Sequence, residues 1–214
     1  MRIALLLVLA LTMVVVTAPA TAQTVYSNGA PNGNTDAWTI NFGFVVSDTF
    51  TISGPVTITG LNFAAWTYPG DTLTSAEVSI TSSENGGTSY FDETVNFTQG
   101  RCTSNQYGYN VCEESSTFTN DPTLARGSYW LNLQNASVPN GDPIYWDENS
   151  GPSQASENSV GTIPSEAFTL FTTGSTTTTS SSSSTTTSVP EPSSLMLFGS
   201  GILGLSGWIR RKLF

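Results

Sequence analysis

The chain has no histidine among its 214 residues. That absence removes Ser-His-Asp and Cys-His dyads, imidazole ligands to zinc and imidazole general bases. Cations are almost as scarce, with six Lys and Arg against 16 Asp and Glu. Between Gln23 and Ser188 the only cations are Arg101 and Arg126, lysine is missing, and 15 acids leave a net 2 − 15 = −13. Such a surface repels phosphate backbones, so no nucleic acid is expected as a partner. It attracts divalent cations or, more commonly, simply keeps an exported protein soluble. Gly-x-Ser-x-Gly elbows and Gly-x-x-x-x-Gly-Lys phosphate loops are also missing. An enzyme built from this chain would have to rest on carboxylates. The adjacent Asp147 and Glu148 point to opposite faces of an extended chain instead of facing each other across the ~5–10 Å a glycosidase needs. The expectation is a non-enzymatic protein with no catalytic residue and no resident cofactor.

Cysteine is limited to Cys102 and Cys112, separated by the nine residues Thr103 to Val111. A metal or redox role asks for Cys-x-x-Cys spacing or further ligands, so the pair reads as one local disulfide in an oxidising compartment. Closing a loop of this size contributes roughly 2–3 kcal/mol on the chain-entropy account.

Helical periodicity is nearly missing from the centre of the chain, and strand periodicity takes its place. Trp38, Ile40, Phe42, Phe44 and Val46 alternate with smaller or polar residues, which predicts one strand with five large apolar groups on one face. Phe50 and Ile52 resume after a break at Ser47-Asp48. Val56 and Ile58 alternate up to Gly60, and Leu61 and Phe63 follow out of phase, as a β-bulge at Gly60 would produce. Pro69-Gly70-Asp71 and Glu84-Asn85-Gly86-Gly87 are turns flanking a strand at Val78 and Ile80. Further strands are expected in Tyr90 to Phe97, Ser128 to Leu133, Pro143 to Trp146 and Ala167 to Phe171. The fold class is therefore all-β, an antiparallel β-sandwich of jelly-roll form, over residues 23–171.

The two ends carry addresses. Met1-Arg2, the apolar stretch Ile3 to Val16 and the small-residue site Ala20-x-Ala22 form a signal peptide over residues 1–22, read by the secretion translocon. Thr172 to Ser188 holds nine Thr, seven Ser and one Gly, a solvated linker with nothing to bury. Then come Val189-Pro190-Glu191-Pro192, the apolar run Leu195 to Ile209, and the cluster Arg210-Arg211-Lys212. Fifteen helical residues rise about 22 Å, just enough to cross a bilayer if the flanking cations snorkel, and cations after the run favour the cytoplasmic side.

That order of motif, apolar run and basic cluster resembles a PEP-CTERM sorting signal, spanning residues 189–214. The resemblance implies recognition by an exosortase, cleavage near Pro190-Glu191-Pro192, and a Gram-negative-type host that makes exopolysaccharide. The chain would be held in the inner membrane by its C-terminal transmembrane helix before processing, then reach the cell surface or the extracellular matrix and its biofilm. Ala37 to Phe44, Ser82 to Thr88 and Tyr145 to Gly151 also resemble stretches of exported PEP-CTERM proteins of unknown role, which transfers no catalytic residue.

A candidate ligand site lies in Tyr145, Trp146, Asp147, Glu148 and Asn149. An exposed indole beside amide and carboxylate oxygens suits stacking on a sugar ring, and the same oxygens suit Ca2+, although no regular calcium-loop spacing is met. The competing reading puts Trp146 in the core and leaves the acids as loop solvation. Trp66-Thr67-Tyr68 and Tyr107-Gly108-Tyr109 are secondary candidates. The expected role is thus a structural or matrix-associated surface protein. The alternative is a module that binds exopolysaccharide, with calcium assisting.

Overall fold

A computed structural model describes residues 21–173. The strands are β1 (Ala22–Ser27), β2 (Ala37–Thr39), β3 (Val45–Ile52), β4 (Val56–Thr57) and β5 (Gly60–Thr67). They continue with β6 (Ser75–Ser83), β7 (Gly86–Asn96), β8 (Thr98–Ser104), β9 (Asn110–Thr117) and β10 (Thr123–Leu124). The last five are β11 (Gly127–Ser137), β12 (Tyr145–Asp147), β13 (Ala155–Glu157), β14 (Gly161–Ile163) and β15 (Phe168–Thr173). All named pairings are antiparallel.

One sheet runs β1-β15-β5-β12-β2, with β9 on the other edge of β5 and β8 outside β9. The second runs β14-β13-β3-β11-β6-β7, and β4 with β10 forms a small separate ladder. The two large sheets share one core, as a β-sandwich must. Leu61, Phe63 and Ala65 of β5, Trp146 of β12 and Phe168 and Leu170 of β15 meet Val46, Phe50 and Ile52 of β3, Leu131 and Leu133 of β11, and Val78 and Ile80 of β6. Side chains of period two commit each strand to one face, and burying a large apolar residue contributes about 1.5–3 kcal/mol.

The strand expected from Trp38 to Val46 is in fact two strands in different sheets. β2 ends at Thr39, and Asn41-Phe42-Gly43 turns the chain across to β3, with Phe44 N donating to Asn41 O (3.1 Å) and Phe42 and Gly43 at φ 57° and 88°. Phe42 therefore lies 63% exposed and Phe44 is exposed as well, outside the apolar face expected of them. Ser47 and Asp48 do not break β3, which runs on through both with each buried.

The phase change near Gly60 is real, but its cause is a change of sheet instead of a bulge. β4 pairs with β10, the chain turns through Ile58 and Thr59, and β5 then joins the large sheet. Gly60 is required there because a Cβ would sit 2.5 Å from Ser116 O.

The turn at Glu84-Asn85 closes the β6–β7 hairpin, with Asn85 at φ 55°. Cys102 and Cys112 form the expected disulfide, Cα to Cα 4.1 Å. They face each other in register across β8 and β9, so the segment between them is a hairpin and not an irregular loop.

Candidate functional site

Trp146 has no exposed face. Its ring is 0% exposed and packs edge-on against Phe63 and Phe168, with centroids 6.0 and 5.7 Å away, and its Nε1 donates to Ala167 O (2.9 Å). This corrects the sugar-stacking role expected of Trp146. β12 is covered on its inner side by the second sheet, and alternation sends Trp146 there. Asp147 and Asn149 are buried hydrogen-bonding centres. Asp147 accepts from Trp66 Nε1 (2.6 Å) and from the Asn32 and Gly33 amides (both 2.9 Å). Asn149 Nδ2 donates to Asn28 O (2.8 Å), while its Oδ1 accepts from Gly151 N and Ser165 Oγ (both 2.9 Å). Burial pushes the Asp147 carboxyl up, against the three donors that lower it.

Tyr145 takes the opposite face and enters an aromatic cluster with both secondary candidates. It is paired with Trp66 across β12 and β5, so the two share the outer face of the sheet. The β8–β9 turn then lays Tyr107 over Trp66, stacked at 5.7 Å with 24° between planes. Tyr109 links the rest, 5.8 Å from Trp66, 5.0 Å from Tyr68 and 5.5 Å from Tyr145. Tyr107 is 54% and Tyr68 39% exposed, whereas Trp66 is buried beneath them. Asp147 holds the base of this cluster through Trp66 Nε1, and Tyr107 OH donates to Asn34 O (3.2 Å).

Beside the cluster lies a cleft of about 290 Å3 between the Pro31–Asn34 loop and the β8–β9 hairpin, with Arg101, Asn105 and Glu113 among its walls. The Asn105 Nδ2 group is buried there without a partner. Exposed aromatic faces next to a polar cleft can stack on sugar rings and hydrogen-bond their hydroxyls.

A second set of polar groups lies inside the sandwich, and nothing in the sequence reading singled it out. Asp48, 0% exposed, shares the core-facing phase of Val46, Phe50 and Ile52 in β3. Its Oδ2 accepts from Asn28 Nδ2 (2.9 Å) and Glu166 N (2.7 Å), while its Oδ1 has no partner. Burial raises the Asp48 pKa to about 6. Glu166 is fully buried with neither carboxylate oxygen bonded, and burial, followed by the charges of Asp48 and Glu148, pushes its pKa well up. Asp48 was legible as an acid in a core-facing register position. Glu166 lies outside a regular strand and carried no such signal.

Of the sorting and processing positions, Ala22 begins β1. Ala20, Val189, Pro190, Glu191, Pro192, Arg210, Arg211 and Lys212, with the membrane helix expected over 195–209, lie outside the described residues. Among the described residues no helix is long and apolar enough to cross a membrane.

Residues 188–212 match the family model of the PEP-CTERM protein-sorting motif. No curated protein matches the chain.

Proposed function

We propose, from the premise that this chain carries a PEP-CTERM sorting motif and is thereby an exported substrate of an exosortase, that it is a non-enzymatic body displayed at the cell surface or in the extracellular matrix. The sorting motif at 188–212 carries this reading. Two features support a structural role for the sandwich: Trp146 packs the core, and Asp147 and Asn149 tie loops to strands. The secretion translocon, the exosortase and, before processing, the inner membrane are its partners in transit. The test is a version lacking Leu195 to Phe214. It is expected to leave the membrane fraction entirely and to escape trimming near Pro190-Glu191-Pro192. Fractionation identical to that of the intact chain would remove the reading.

The exposed aromatic cluster favours a second role, contact with exopolysaccharide. Tyr68, Tyr107, Tyr109 and Tyr145 come from three separate segments and offer ring faces beside a cleft lined by Asn and Glu113 oxygens, the arrangement that pyranose rings and their hydroxyls fit. Replacing both Tyr107 and Tyr109 by Ala should lower retention on the host's polysaccharide by about tenfold or more, at ~1 kcal/mol per lost stacking face. The Phe variants should retain most of it. Equal retention of the Ala and native proteins in affinity electrophoresis would end this role.

A further inference from the structure

Three neighbouring segments of one sheet and one strand of the other bring four carboxylates to the same end of the sandwich, three of them buried and Asp36 exposed at the edge. Trp146 stands opposite Trp38, Glu148 N donates to Asp36 O (3.1 Å), and Glu148 is bridged to Glu166. Asp36, Glu148 and Glu166 therefore form a row on the inner face, two residues beyond Trp38, Trp146 and Phe168 respectively. Asp48 faces this row from β3 and accepts from Glu166 N (2.7 Å). The row runs from exposed Asp36 through Glu148, whose Oε2 accepts from Trp38 Nε1 (3.2 Å), to fully buried Glu166.

Acceptors outnumber donors throughout this end. Asp48 Oδ1 and both Glu166 oxygens are buried without any partner. Asn28 Nδ2, with two protons, is surrounded by Asp48 Oδ2 (2.9 Å), Ser153 Oγ (2.6 Å), Ser165 Oγ (2.7 Å) and Glu166 O (2.7 Å). Arg101 and Arg126 are both exposed, and Arg101 borders the outer cleft. The titratable groups around Asp48 and Glu166 are Tyr26, Asp36, Asp147 and Glu148, all acidic or neutral. A buried carboxylate with neither partner nor counter-ion costs several kcal/mol, so the group either keeps its proton or takes a cation.

We propose that Asp48 and Glu166 bind one divalent cation, Ca2+ by their donor chemistry, between the two sheets at this end of the sandwich. The donors are all hard oxygens from carboxylate, hydroxyl, amide and carbonyl groups, the set that Ca2+ takes six to eight at a time in flexible geometry. Mg2+ demands a tighter octahedron and zinc prefers nitrogen and sulfur. Among the described residues no three acidic side chains close on one point. The shell therefore uses two carboxylates and is completed by Ser153, Ser165, a carbonyl or water. Such an ion joins the segment leading into β15 to β3 of the opposite sheet, tying the two layers together at the start of the last strand. It is independent of the polysaccharide reading.

The test uses the full chain, stripped with chelator and titrated with Ca2+ at pH 8 in calorimetry and thermal unfolding. One Ca2+ per chain and a rise in Tm of about 5–10 °C at a hundredfold excess over Kd are expected. Mg2+ should give little. Glu166→Gln and Asp48→Asn keep the volume and remove a charge, so each should fold, lose at least tenfold in Ca2+ affinity and lose the Tm rise. If a variant fails to fold, terbium luminescence excited through tryptophan decides on the native protein, since Trp38 touches Glu148; a sensitised signal displaced by Ca2+ is expected. A Tm that ignores Ca2+, together with a higher Tm for Glu166→Gln at pH 8, would show protonated carboxyls and overturn the proposal. Ca2+ binding of native strength in both variants would place the ion elsewhere and overturn it equally.

Discussion

Trp146→Ala should unfold this domain's core, at a cost of about 3–5 kcal/mol in denaturant titration. The indole is fully buried between Phe63 and Phe168, its Nε1 bonds a main-chain carbonyl, and the residue lies in the core shared by the two sheets. Removal leaves a cavity bordered by both layers and strips Ala167 O of its donor, so two separate penalties add. With typical domains stable by only ~5–15 kcal/mol, such a loss is large. Trp146→Phe fills most of the space and should cost less, about 1–3 kcal/mol. Retention on polysaccharide should be unchanged in whatever fraction stays folded, which separates Trp146 from Tyr107 and Tyr109. A loss below ~1 kcal/mol, or ready quenching of a surface indole in the variant lacking the other tryptophans, would contradict this placement.

Stability should fall as pH rises from about 4 to 8, the reverse of the usual acid denaturation. Glu114 points into the core from β9, opposite Phe63 of β5, with neither carboxylate oxygen bonded, and burial raises its pKa to about 8. Asp48 is raised to about 6 and Glu166 well above its ordinary value by the same cause. Between the ordinary carboxylate range, near 4, and these raised values the folded state holds more protons than the unfolded chain. The slope of unfolding free energy with pH is then negative. The penalty is absent below about pH 4, grows through that window and is complete above about pH 8. Glu114→Gln should match the native protein at pH 4 and exceed it by about 2–4 kcal/mol at pH 9. Saturating Ca2+ should remove the part of the slope due to Asp48 and Glu166 and leave that of Glu114. A native stability curve that is flat or rising between pH 5 and 8 without added cation would refute the account.

Much of the architecture was legible in the residues. Period-two alternation placed β5, β6, β11 and β15 close to their observed positions, and the turns at Pro69-Gly70-Asp71 and Glu84-Asn85-Gly86-Gly87 formed as their glycines and asparagine require. Alternation cannot show where a chain leaves one sheet for the other. Phe42 and Phe44 kept the apolar rhythm of Trp38 and Ile40, yet a turn with two positive φ values carries the chain between layers at that point. The shift at Gly60 was visible, and only the pairing partners showed that it marks a change of sheet.

The candidate site divides in the same way. By itself the sequence determined that Asp147 and Glu148 point to opposite faces, that Cys102 and Cys112 join, that histidine chemistry is excluded, and that residues 188–212 carry a sorting motif. Those are properties of local spacing and residue type. Only tertiary structure decided which face the second sheet covers, sending Trp146 inward and gathering Tyr68, Tyr107, Tyr109 and Tyr145 on the outside. It alone brought Asp48 and Glu166, 118 residues apart, into one uncompensated interior cluster. Burial and contact between distant segments depend on what packs from the other layer, and no local pattern carries that information.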